Sequence, residues 1–80
     1  MIPEHKRAVL TRDVPEHGLV AGDYGVVVSV HKGSGESVLG YTLEIFAVSG
    51  DTIDVIDVPA DAVRPARNDE IGHARPVAAE

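Results

Sequence analysis

Eighty residues carrying 7 basic and 13 acidic side chains, a net charge of −6 and no cysteine make one small, acidic domain at most. A chain this short buries only about 60% of the surface its unfolded form exposes, and without cysteine neither disulfides nor a thiolate zinc site can reinforce the thin core. The charge sign disfavours nucleic acid, whose backbone is gripped by Lys and Arg, and with only Tyr24, Tyr41 and Phe46 as aromatics a base-stacking platform is hard to build.

Residues 1–10 place Glu4, Lys6 and Arg7 where a signal peptide needs an apolar run. The longest apolar runs, such as residues 26–28, fall far short of the roughly 20 residues of a membrane span. Together with the missing cysteines, these features predict a soluble protein of the reducing cytoplasm.

In chain order, residues 2–5 read as an extended lead-in, and residues 6–11 (KRAVLT) as a short strand in which Ala8, Val9 and Leu10 pack. Residues 12–23 form a long connection. Pro15 fixes its own φ and biases Val14 toward extended geometry, Gly18 and Gly22 permit unusual backbone angles, and Leu19 and Val20 are expected to tuck inward. Loops of this length are often functional, although simple capping of one barrel end is the plainer reading.

Residues 24–31 alternate, with Tyr24, Val26, Val28 and Val30 on one face and Gly25, Val27, Ser29 and His31 on the other. Gly25 marks a bulge or a close approach by another backbone. Residues 32–37 (KGSGES) form a solvated hairpin tip. They lack the order of a phosphate-binding P-loop, and residues 35–40 are one residue too long for a nucleophile elbow.

Residues 38–48 continue the sheet, with Leu39, Tyr41, Leu43, Ile45 and Ala47 on one face and Thr42, Glu44 and Phe46 on the other. An outward Phe46 beside Glu44 could anchor a partner; the competing reading packs it beneath the 12–23 loop or the chain's end. Ser49-Gly50-Asp51 is a tight turn, followed by a strand over residues 52–58 (TIDVIDV). Its apolar pairs Ile53/Val55 and Ile56/Val58 fall out of phase, so a bulge or two-sided burial is expected around Val55-Ile56. Asp54 and Asp57 are expected to face outward on either side of it, since inward or edge charges discourage strand pairing between chains. Asp51, Asp54 and Asp57 lack EF-hand spacing, and the four histidines (His5, His17, His31 and His73) lack ligand spacing. No metal, cofactor or catalytic residue is therefore expected.

Residues 59–62 (PADA) read as one helical turn and residues 63–65 as a closing edge strand. Residues 66–80, poor in large apolar side chains, read as a tail that is disordered or ordered by a partner. The predicted architecture is all-β: a small SH3-like barrel of about five strands over residues 1–65, with a long first loop and the 66–80 tail.

The strings Asp13-Val14-Pro15-Glu16-His17-Gly18-Leu19, Ala21-Gly22-Asp23-Tyr24-Gly25-Val26-Val27, Tyr41…Glu44-Ile45-Phe46 and Val58-Pro59-Ala60…Val63-Arg64-Pro65 resemble a family of short bacterial proteins, the DUF4926 family, over roughly residues 6–65. The resemblance implies a fold similar to KOW modules and to the nitrile hydratase β-subunit and its activator. It brings no catalytic residue. Members encoded beside toxin-like or other small proteins imply, by analogy, an antitoxin or immunity role. The long tail and the extended 32–37 tip depart from the family pattern.

The function expected is a non-enzymatic protein-interaction module, an accessory or antitoxin/immunity-like protein whose acidic surface steers a basic toxin-like or enzyme partner. The candidate contacts are Glu16, His17, Leu19, Asp23, Phe46, Asp54 and Asp57. The alternative is a KOW-like nucleic-acid or ribosome-associated module, which needs Lys6, Arg7, Arg12, Lys32 and Arg64 to converge on one face. Monomer and homodimer remain equally open.

Overall fold

The computed structural model describes residues 1–77, so the last three residues of the expected tail, 78–80, lie outside the described residues. The apolar run Ala8-Val9-Leu10 forms β1 (Arg7–Leu10), and the valine-rich run forms β2 (Tyr24–Lys32). They are followed by β3 (Val38–Phe46), β4 (Thr52–Pro59) and β5 (Val63–Pro65), with 3₁₀ turns at Pro15–His17 and Ala60–Ala62. The five strands make one antiparallel sheet in the order β4-β3-β2-β1-β5.

The expected all-β domain of five strands is what forms. Its sheet curls without closing: β4 and β5 are its two edges, and no ladder joins them among the described residues. Both edges are poor templates. β5 is three residues long and ends at Pro65, which has no N–H to give. On β4 the Val55 N–H donates to Asp54 Oδ1 at 2.8 Å, within its own strand.

Strict alternation fails along β2, and the register explains why. Val27 pairs with Leu43 while Ser29 pairs with Thr42, so Val28 is an extra residue bulged out of the ladder. The bulge resets the phase. Val27 is fully buried before it and Val30 packs on the core after it, while Val28 is 37% exposed. The predicted face of Tyr24, Val26, Val28 and Val30 is thereby corrected: Gly25, Val27 and Val30 point inward. Similar shifts push out Leu39 on β3 and Ile53 on β4. The β4 bulge therefore falls at Ile53 rather than at Val55-Ile56, and Ile56 and Val58 alone fill the core from that strand.

The core is apolar throughout among the described residues, centred on Leu10, Val27, Leu43 and Ile56. Burying each such side chain contributes about 1.5–3 kcal/mol. The lead-in is part of this core: Ile2 is buried, and its N–H donates to the Tyr41 hydroxyl at 3.0 Å, which satisfies a buried polar atom.

The first loop is pinned at both ends. Val14 and Leu19 exchange backbone hydrogen bonds and enter the core, whereas Val20, expected inside, is exposed. Asp13 accepts from the Ala21 N–H and Asp23 from the Val20 N–H, so the loop carries its own polar scaffold.

Gly25 meets the expectation of a close backbone approach. A Cβ there would lie 2.6 Å from the Glu44 carbonyl oxygen and 2.8 Å from Ile45 Cδ1. Gly25→Ala is expected to destabilise the domain by about 1–3 kcal/mol through overpacking. Thermal unfolding should show this as a lower midpoint; an unchanged midpoint would contradict the contact.

Candidate functional site

The predicted contact residues come from different elements, and the fold sorts them into three places. His17, at the end of the first 3₁₀ turn, reaches β4: its Nδ1 lies 3.0 Å from Asp54 Oδ2. Glu16 is exposed beside it. Asp54 shares the inward phase of Ile56 and Val58, because its register partner is the buried Ile45. Asp54 and Asp57 thus take opposite sides of β4, Asp54 half-buried and Asp57 exposed. The Asp54 carboxylate is divided between two jobs, Oδ2 holding His17 and Oδ1 capping the Val55 N–H. The pair ties the long loop to the edge strand.

Asp57 lies on the outer face at the other end of β4. Its Oδ1 accepts the Thr42 hydroxyl proton at 2.5 Å, and Thr42 Oγ1 lies 2.6 Å from His31 Nε2. The three strands are thus laced by a His31–Thr42–Asp57 chain. Because the hydroxyl proton is committed to Asp57, His31 stands as donor to Thr42. This order links strands and does not prepare Thr42 as a nucleophile, whose proton would have to face the histidine.

Leu19 is withdrawn from the contact set by the structure, since it is 2% exposed and belongs to the core. It supports the loop from beneath. Phe46, by contrast, points out of the sheet and is 40% exposed. It lines an open groove on the outer face together with Tyr24, Val26, Val48 and Ile53. The groove holds both exposed aromatic side chains of the sheet, with Tyr24 45% exposed.

Asp23 sits at the head of this groove, and here the structure adds what sequence reading missed. No regular secondary structure follows Pro65 among the described residues, and residues 66–77 lie along the domain, held at three points. Arg64 makes a two-pronged ion pair with Glu70, one prong Nη1 to Oε1 at 2.9 Å. Gly72 lies against the Tyr24 ring, so close that a Cβ would be 2.8 Å from the ring. Arg75 pairs with Asp23, its Nε donating to Oδ1 at 3.1 Å, and its Nη2 donates to the Gly18 carbonyl at 3.3 Å. Residues 66–77, with Ile71 and Val77 as their only large apolar side chains, give no hydrophobic signal of this path.

The groups with displaced pKa values are members of these same tail contacts. The Arg64 guanidinium, by hydrogen bonding, holds the Glu70 carboxyl down to about 2 from its ordinary 4.5, helped by the Arg67 N–H. The Arg64 and Arg75 guanidinium pKa values are raised by their hydrogen bonds to Glu70 and Asp23. Of the five basic residues needed for a nucleic-acid face, three are already paired: Arg12 with Asp61 at 3.3 Å, Lys32 with Glu36 at 3.7 Å, and Arg64 with Glu70.

The sequence profile of DUF4926, a domain of unknown function, matches residues 4–65, which is most of the chain. The chain belongs to the DUF4926 family. No curated protein and no solved structure matches it. The matched region ends with β5, so the tail contacts of Glu70, Gly72 and Arg75 lie beyond the DUF4926 match while their receptors Asp23, Tyr24 and Arg64 lie within it.

Because the Glu70 pKa is depressed by its contacts, its contribution to holding the tail is complete above the ordinary carboxylate value and is lost as pH falls through about 2. A side-chain NMR titration should give Glu70 a midpoint near 2, moving toward the ordinary value in Arg64→Ala. A midpoint already near 4.5 in the unaltered chain would contradict the pair.

Proposed function

We propose that this DUF4926 domain is a non-enzymatic protein-interaction module of SH3-like class, an accessory or antitoxin/immunity-like protein that works on another protein in the cytoplasm. The observation that carries this reading is the outer sheet face. Tyr24, Phe46, Ile53 and Val55 are exposed there, drawn from three adjacent strands. Apolar side chains grouped on one face and rimmed by polar residues are the pattern of an interaction site. The rim here is acidic, with Glu44 paired opposite Val55 and Asp57 opposite Thr42. With a net charge of −6, the surface favours a basic partner, whose approach it would steer.

Curled antiparallel order and the three-residue closing strand β5 support the SH3-like class, and the absence of cysteine supports a reducing compartment. The KOW-like nucleic-acid reading draws less support, because Arg12, Lys32 and Arg64 are each neutralised by a carboxylate of this chain.

The test is capture from the native host under crosslinking, using the unaltered chain beside Phe46→Asp and Val55→Asp. One basic protein recovered in near-stoichiometric amount, and lost with both substitutions, is the expected result. Recovery unaffected by either substitution, or of no specific protein at all, would count against the outer face as the contact.

A further inference from the structure

The tail does more than lie on the surface; its three points of attachment spell out a ligand. We propose that the groove formed by Gly18, Asp23 and Tyr24 is a peptide-docking site that accepts an extended segment with glycine followed three residues later by arginine, and that residues 66–77 are its occupant in cis. This rests on reading the outer face as an interaction surface and names the chemistry of what that face takes.

Each element of the motif has a receptor. Glycine fits where the backbone crosses the Tyr24 ring: a Cβ at Gly72 would sit 2.8 Å from both the ring edge and the hydroxyl oxygen, so the ring would have to swing aside. Arginine is required three residues on, where Asp23 offers a carboxylate to Nε and Nη2 and the Gly18 carbonyl takes a further Nη2 bond. Two oxygens side by side are matched by a planar guanidinium and not by the point charge of a lysine.

The receptor is built before the ligand arrives. The Val20 N–H donates to Asp23 Oδ2 at 2.8 Å and fixes that carboxylate. Gly18, with φ of 69°, closes the 3₁₀ turn through its N–H bond to the Pro15 carbonyl, leaving its own carbonyl to Arg75. Val9, buried on the outer side of β1, lies in register between Tyr24 and Arg64, the two residues that hold Gly72 and Glu70.

The tail itself is a weak ligand made effective by tethering. Its residues before Val77 are all exposed, and Ile71 points into solvent, so little apolar surface is committed. A short tether supplies an effective concentration of the order of millimolar. A partner carrying the same motif, with apolar residues placed to reach Phe46 and Ile53, would displace it.

The experiment needs no partner. A synthetic peptide of residues 66–77 is titrated into isotope-labelled full-length chain, unaltered or carrying Gly72→Val with Arg75→Ala, and backbone amide shifts are followed. Shifts confined to Gly18, Asp23 and Tyr24 in the altered chain, with at least about tenfold weaker response in the unaltered chain, are expected from cis competition. The peptide with its own arginine replaced by alanine should give none. Equal response by both chains, no response from either, or an undiminished response to the alanine peptide would overturn the proposal. Arg75→Ala alone, which touches no core residue, serves as the second variant should the double one lose its fold. Because capture through Phe46 is measured separately, failure here leaves that reading standing, and the reverse.

Discussion

One extra residue in a strand governs this molecule. A nine-residue strand with strict alternation would put Val27 and Val30 on opposite sides, so only one of them could reach the core. By looping Val28 out of the ladder, β2 brings both Val27 and Val30 onto the core and bends the sheet at its middle. The bend is what an eighty-residue chain requires, since a flat sheet of five strands would have no second layer to bury against. Gly25 completes the arrangement by letting β2 lie against the backbone of Glu44.

The curl separates two surfaces with different jobs. Inside, among the described residues, the buried side chains are apolar and the Tyr41 hydroxyl is answered by the Ile2 N–H. Outside, the sheet shows aromatic and aliphatic groups near β3 and β4, a polar lacing of His31, Thr42 and Asp57, and an acidic head at Asp23. The long loop connects the two. Leu19 plugs it into the core while Asp23 faces out, so a rigid interior positions a charged exterior.

Much of this could be read from residue order, and what could not has a common cause. Strand positions, the hairpin tip at 32–37, the turn at 49–51, the helical turn at Ala60–Ala62 and the short edge at Val63–Pro65 are local signals, set by valine-rich runs, glycines and prolines. Which face a residue takes depends on register, and register depends on bulges at Val28, Leu39 and Ile53 that composition does not announce. The same limit hid the pairing of His17 with Asp54, residues 37 apart, and of Asp23 with Arg75, residues 52 apart. Leu19, legible as an inward residue of a polar loop, is drawn into the core by its size and its bridge to Val14, while its neighbour Val20 is exposed.

The claim on which the rest stands, that β2 changes phase at Val28, can be measured directly because the chain contains no native cysteine. Single Val27→Cys, Val28→Cys and Val30→Cys variants would be exposed to a thiol-specific reagent under native conditions, with the unfolded chains as reference. The account predicts rapid labelling at position 28 and protection at both 27 and 30. Protection at 27 with free reaction at 30, the outcome of uninterrupted alternation, would contradict it.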